Sequence, residues 1–163
     1  MVRYQGLGDS YKLSNGHEMP TKKTAPASCS RVLVVEDHDD TREMLKTVLE
    51  MNGFVVCEAI DGESAVRTAV AEQPDIILMD VSLPVMDGVS VARSIRSQPI
   101  IGQVPIILLS GWNEPARQRE AFSAGCTDYL IKPVDPDHLV TTIRSWLEPQ
   151  GESGSRRVAA GTK

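Results

Sequence analysis

PDIILMDVSLPVMDG, residues 74–88, carries four apolar residues in unbroken succession, Ile76 to Met79, and then an aspartate at position 80. A strand with one wet face alternates apolar and polar side chains. An unbroken run fits a strand covered on both faces, as in a parallel sheet flanked by helices. The break at Asp80 places a carboxylate at the carboxyl end of that strand. In open parallel α/β sheets this is the edge outside which ligands bind.

Working outward, similar short apolar runs occur at Val32 to Val35, Phe54 to Val56, Val104 to Leu109 and Tyr129 to Ile131. Each is followed by a segment with helical periodicity, predicting helices near residues 40–51, 63–72, 89–97, 115–124 and 137–147. The first of these places Met44, Leu45, Val48 and Leu49 on one face and stops at Asn52-Gly53. The last places Leu139, Val140, Ile143, Trp146 and Leu147 on one face, with Pro136 and Asp137 supplying start chemistry. Such stripes are read as core rather than as binding grooves. Five strand-helix alternations predict an α/β protein, a doubly wound five-stranded parallel sheet with five helices; if the strand order is 2-1-3-4-5, the first, third and fourth strands are central neighbours.

The alternating part spans residues 31–148. Residues 1–30 are rich in Gly, Ser, Thr, Lys and Pro and lack hydrophobic periodicity, so a flexible tail is expected there. A second tail is expected over residues 149–163, in which the adjacent Arg156 and Arg157 read as solvated charge. The fifteen residues after Glu148 are too few for a DNA-binding helix-turn-helix domain, so output is expected through a partner, through self-association or by passing a group onward. A formal net charge of -5 argues against coating nucleic acid, which needs a basic field. Cys29, Cys57 and Cys126 are far apart and show no metal or redox spacing, which reads as reduced thiols. No signal-peptide core and no run of about 18 apolar residues occurs, so the expectation is a cytoplasmic protein without membrane contact.

Four of the five strand ends are polar. The first strand runs into Glu36 and Asp37, the third into Asp80, the fourth into Ser110, and the fifth into Lys132 followed by Pro133. Singly, each is more often a capping or turn residue than a functional one. Gathered on one edge, two carboxylates about 5 Å apart repel by roughly 3 kcal/mol at an effective dielectric near 20, so the cluster needs a cation. Hard oxygen donors with open water positions suit Mg²⁺, and the absence of Cys or His among them disfavours zinc. A cation beside an ammonium and a hydroxyl is a set of parts suited to phosphoryl transfer, with Asp80 as the natural nucleophile. His17 and His138 lie in a tail and in the last helix. His38, in the loop beside the acidic pair, reads as an exposed spectator. No glycine-rich phosphate cradle is present, so the phosphoryl group is expected from a small donor or another protein.

The segments VLVVEDHDDTREML, PDIILMDVSLPVMDG, VPIILLSG and AGCTDYLIKP, in this order, resemble the receiver domain of bacterial-type response regulators of two-component signalling, over about residues 31–148. The resemblance implies a flavodoxin-like fold of the kind seen in stand-alone chemotaxis regulators. It implies that Asp80 is phosphorylated from the phosphohistidine of a histidine kinase or histidine phosphotransfer protein. Asp37, Asp80 and the backbone carbonyl of Ser82 would bind Mg²⁺, with Glu36 acting partly through water. Lys132 would bind phosphoryl oxygens, and Lys132-Pro133 would be a cis peptide. Ser110 would turn its hydroxyl to the phosphate and Tyr129 would swing inward behind it. The signal would then reach a downstream protein or a homodimer partner through the face made by the fourth helix, fifth strand and fifth helix, with no direct nucleic-acid contact.

Some positions depart from the commonest family pattern. Glu36 replaces an Asp, and Cys126 stands where a small Ala is frequent and reads as packing. Ser82 and Trp112 flank the positions that gate hydrolytic water, and bulky Trp112 is expected to slow dephosphorylation. Beyond its own phosphorylation and dephosphorylation, no enzymatic turnover is expected. Competing readings are the receiver module of a hybrid histidine kinase, an interaction module without phosphorylation, and a metal-dependent phosphatase. The last usually has two aspartates spaced two residues apart after the first strand, where this chain has Glu36-Asp37-His38.

Overall fold

A computed structural model describes residues 29–148. The elements run β1 (Arg31–Val35), α1 (Asp39–Met51), β2 (Val55–Ala59), α2 (Gly62–Glu72), β3 (Ile76–Asp80), α3 (Gly88–Arg96), β4 (Ile106–Ser110), α4 (Pro115–Ser123), β5 (Asp128–Ile131) and α5 (Pro136–Leu147). They form one five-stranded sheet in the order β2-β1-β3-β4-β5, every neighbouring pair parallel. This is the predicted doubly wound topology. The segments expected to be flexible tails, with His17, Arg156 and Arg157, lie outside the described residues apart from Cys29 and Ser30.

The unbroken apolar runs divide between two cores because successive strand residues point to opposite faces. Leu33, Val35, Ile77, Met79, Ile106 and Leu108 pack toward α2, α3 and α4, against Ala65, Ala69, Val91, Ile95 and Ala121. Val32, Val34, Ile76, Leu78, Ile107 and Leu109 pack toward α1 and α5, against Leu45, Leu49, Leu139 and Ile143. The central strands β3 and β4 are buried at every position, so neither shows alternation.

Helix boundaries follow local chemistry. Asp61 caps α2 in a reciprocal box with Ser64, Asp87 caps α3 through the Ser90 amide, and Asp135 caps α5 ahead of Pro136. Gly53, at φ +86, ends α1 in the left-handed region that glycine enters without steric cost.

The structure shifts some expectations. The second strand runs from Val55 to Ala59 rather than from Phe54 to Val56. Phe54 is a core residue of the α1/α5 side, whereas β2 is an edge strand whose Glu58 meets Arg42 and Lys46. A charged residue in mid-strand hides it from a search for apolar runs. The fourth strand begins at Ile106 rather than Val104, since Pro105 has no N–H for a ladder and offers only its carbonyl, to Ile77. Met44 is 54% exposed, because the apolar stripe of α1 centres on Leu45 and Leu49 and leaves Met44 on its margin.

Candidate functional site

The parallel sheet brings the ends of β1, β3, β4 and β5 to one edge. Asp80, the last residue of β3, is 4% exposed, and Glu36, the first residue after β1, is 1% exposed. The Lys132 ammonium, one residue past β5, reaches both: Nζ lies 2.8 Å from Asp80 Oδ1 and 3.1 Å from Glu36 Oε2. One cation thus joins side chains separated by nearly a hundred residues of chain. The second oxygen of Asp80 accepts the Ser82 backbone N–H at 3.1 Å, and Glu36 Oε1 accepts the His38 N–H at 3.2 Å. Burial alone would lower the Lys132 pKa, but hydrogen bonds to Asp80 and Glu36 and their charges prevail and raise it. The ammonium therefore stays charged.

Asp37 lies at the mouth, its carboxylate 3.0 Å from His38 Nδ1. The same nitrogen is 3.2 Å from Glu36 Oε1. The imidazole is 74% exposed, and its pKa is raised by the hydrogen bond with Glu36 and by the charge of Asp37. His38 is solvent-exposed as expected, yet it touches both members of the acidic pair. Its adjacency in sequence was the only available signal. Donor atoms of Glu36, Asp37 and His38 all lie within 4.8 Å of one another, and Asp80 joins this group through the shared ammonium.

Charge tests whether the site suits a cation. Glu36, Asp37 and Asp80 contribute three carboxylates against one lysine ammonium, an excess of two negative charges beside a neutral His38 and of one beside its protonated form, with Glu36 and Asp80 almost fully buried. Such an excess in a low-dielectric setting calls for a counter-charge, and its oxygen donors match a hard divalent ion. The residues fit the group.

Ser110 ends β4 and is fully buried. Its Oγ accepts the Trp112 N–H at 3.0 Å and lies 3.4 Å from the Trp112 carbonyl. The hydroxyl thus engages the loop after β4. Tyr129, in β5, is partly buried against the α2–α4 side core, and its hydroxyl donates to that same Trp112 carbonyl at 3.2 Å. Both residues proposed from sequence as a switch therefore meet at one backbone oxygen, a junction no side-chain pattern could reveal. The β5 end is tied to the β4 end by Lys132 N–H donating to the Ser110 carbonyl at 2.8 Å. The Lys132-Pro133 bond is cis.

Gly88 explains how the loop after Asp80 closes. A Cβ there would stand 2.4 Å from the Asp80 carbonyl oxygen, so only glycine lets α3 begin against the end of β3. The Gly88 N–H donates to the Val81 carbonyl at 2.9 Å, returning the chain to the strand end. Arg42, to which sequence reading assigned no part, reaches the Glu36 backbone carbonyl with Nη1 at 2.9 Å.

Among the described residues, no helix is long and apolar enough to cross a membrane. The family model for the response regulator receiver domain matches residues 32–144. The transcriptional regulatory protein PrrA of Mycobacterium tuberculosis is 36% identical over 137 residues, covering 84% of this chain and 56% of that protein. The transcriptional regulatory protein CseB of Streptomyces coelicolor is 41% identical over 128 residues, covering 78% of this chain and 53% of that one. The chain spans a little over half the length of these curated relatives. Among solved structures, the chemotaxis response regulator CheY4 of Vibrio cholerae superposes with a TM-score of 0.70 at 32% identity, covering 74% of this chain and all of that one. The receiver domain of the sensor histidine kinase PA1611 of Pseudomonas aeruginosa, with a magnesium ion coordinated in its active site cleft, gives a TM-score of 0.68 at 36% identity, covering 72% of this chain and 97% of that one.

Proposed function

Since the chain belongs to the response regulator receiver domain family, we propose that its residues 31–148 form a receiver that takes a phosphoryl group on Asp80 from the phosphohistidine of a histidine kinase or phosphotransfer protein. One observation carries this reading: the Lys132 ammonium spans Asp80 and Glu36 at 2.8 Å and 3.1 Å, holding the buried acceptor carboxyl beside a positive charge. An Asp80 carboxylate oxygen forms the new bond to phosphorus as the phosphorus–nitrogen bond of the donor breaks in line, and the departing imidazole takes up a proton.

Glu36, Asp37, Asp80 and the Ser82 carbonyl would hold Mg²⁺, with Glu36 acting partly through water. When bound, the ion neutralises the phosphoryl oxygens and draws them toward the acceptor. Lys132 turns from Asp80 Oδ1 to the incoming phosphoryl oxygens, which keeps its charge compensated throughout. Ser110 then exchanges its Trp112 partners for a phosphoryl oxygen, and Tyr129, bonded to the same carbonyl, moves inward. The α4–β5–α5 face, which carries Tyr129, thereby changes shape and recruits a downstream protein or a second copy.

In this reading the domain contacts neither nucleic acid nor membrane, works in the cytoplasm and turns over nothing except its own phosphoryl group. A receiver within a hybrid kinase is the second reading, favoured by the likeness to the receiver of a sensor histidine kinase. The test is intact mass after incubation with acetyl phosphate and Mg²⁺. One added phosphoryl mass is expected, absent from Asp80→Asn. Equal addition to that variant would remove Asp80 from the role.

A further inference from the structure

Arg42 stands near the amino end of α1, four residues after the N-cap His38. A cation there faces the positive end of the helix dipole, which disfavours it. Its side chain is nevertheless only 15% exposed, and its donors point three ways. Nη1 donates to the Glu36 carbonyl at 2.9 Å, Nη2 pairs with Asp39 at 2.5 Å, and Nε reaches Glu58 Oε1 at 3.3 Å. Glu58 is held from its other oxygen by Lys46 at 2.9 Å. One guanidinium therefore ties the end of β1, the start of α1 and the edge strand β2.

The contact with Glu36 falls where the chain leaves the sheet. The Glu36 N–H still donates to the Ala59 carbonyl at 3.1 Å, whereas its own carbonyl turns to Arg42. Asp37 follows at once, and among the described residues its carboxylate meets only the exposed His38 imidazole. Its direction is thus set by the backbone of residues 36–38. That backbone holds two adjacent carboxylates against their mutual repulsion, Glu36 being already joined to Asp80 through the Lys132 ammonium.

We infer that Arg42 is a positioning residue for cation binding, fixing the Glu36–His38 backbone so that Glu36 and Asp37 face Asp80 as one donor set. The inference rests on the reading of this site as a cation-dependent phosphoacceptor. Without the guanidinium the acidic loop relaxes outward, and the ion has to order it on binding. The rate of transfer once the ion is bound depends on Asp80 and Lys132, which Arg42 does not touch.

Calorimetric titration of MgCl₂ into the full chain, paired with the Mg²⁺ dependence of phosphorylation by acetyl phosphate, tests this. Arg42→Ala is expected to raise the Mg²⁺ dissociation constant about tenfold, the low end of what removing an orienting partner does. The Mg²⁺ concentration for half-maximal phosphorylation shifts equally, and the rate at saturating Mg²⁺ stays within about twofold. Arg42→Lys, whose single ammonium cannot fork, remains at least about threefold weaker than wild type. Arg96→Ala is the control. That guanidinium bonds the Gly125, Gly102 and Val104 carbonyls and the Thr127 hydroxyl at the opposite edge of the sheet, so its loss lowers thermal stability without changing Mg²⁺ affinity.

Unchanged affinity in a folded Arg42→Ala, or equal weakening in Arg96→Ala, overturns the assignment. If Arg42→Ala fails to fold, Arg42→Lys and Glu58→Gln carry the same comparison, and wild-type affinity in both overturns it. A wild type that binds no Mg²⁺ removes the receiver reading, and this one with it; a wild type that binds beside an unaltered Arg42→Ala removes this one alone.

Discussion

Replacing Lys132 with methionine keeps an unbranched side chain, one atom shorter, and deletes its charge. At 2.8 Å and 3.1 Å the ammonium attracts each carboxylate by about 5–6 kcal/mol gross at an effective dielectric near 20. Most of that is offset by taking the three groups out of water. Deleting one partner of a buried pair costs about 3–5 kcal/mol, because the remaining charge is left uncompensated. Lys132 is 31% exposed, so solvent screening brings the expected loss to about 2–3 kcal/mol. For a folded part of this size that lowers Tm by roughly 10 °C. Differential scanning calorimetry without divalent ions reads the loss directly. Adding Mg²⁺ then discriminates: the variant site has one more uncompensated negative charge, so the ion raises its Tm more than it raises that of wild type. The Lys132 pKa is raised in the fold, so its contribution is whole below the ordinary value of 10.5 and fades only as pH climbs through the higher folded value. The gap between wild type and variant should therefore stay level from neutral pH to that point and narrow above it. A variant within about 2 °C of wild type, or an equal Mg²⁺ shift in both, would refute the electrostatic account.

Other substitutions probe other parts. Trp112→Ala, which removes a half-exposed indole beside Ser110, should speed loss of the phosphoryl group on the order of threefold by admitting water, measured by the decay of phosphorylated mass after the donor is removed. Gly88→Ala drives a Cβ toward the Asp80 carbonyl and should cost about 1–3 kcal/mol in urea unfolding while slowing phosphorylation; unchanged stability would contradict the packing. Burial pushes the Cys126 thiol up to about 12 and the Cys57 thiol up to about 11, so a disulfide reagent at mildly alkaline pH should find one fast thiol, the exposed Cys29, with the other two released by urea.

The fold was legible where tertiary structure and local pattern agree. β1, β3 and β4 lie at the centre of the sheet, and burial on both faces writes itself as Val32 to Val35, Ile76 to Met79 and Ile106 to Leu109. β2 was less legible because an edge strand need not be apolar, and its Glu58 answers to cations on α1 rather than to a strand pattern. In the site, Glu36, Asp80 and Lys132 could be picked out because they interrupt apolar runs at a shared edge, and they converge in space. The direction of the Ser110 hydroxyl could not, since it depends on a loop amide and a loop carbonyl that exist only once the chain turns. Arg42 was invisible for a related reason: its partner near the site is a backbone oxygen, and every residue has one.

The shared carbonyl of Trp112 carries a thermodynamic corollary. Ser110 and Tyr129 are linked through a single oxygen atom, so any bias on one is a bias on the other, and such linkage runs equally in both directions. If Asp80 is phosphorylated as proposed, whatever factor that adds to the grip of a protein capturing an inward Tyr129, capture would return to the acylphosphate equilibrium. In the proposed receiver, a downstream protein that binds the phosphorylated form would therefore favour that form at equilibrium, and the standing level of the signal would be a property of the pair.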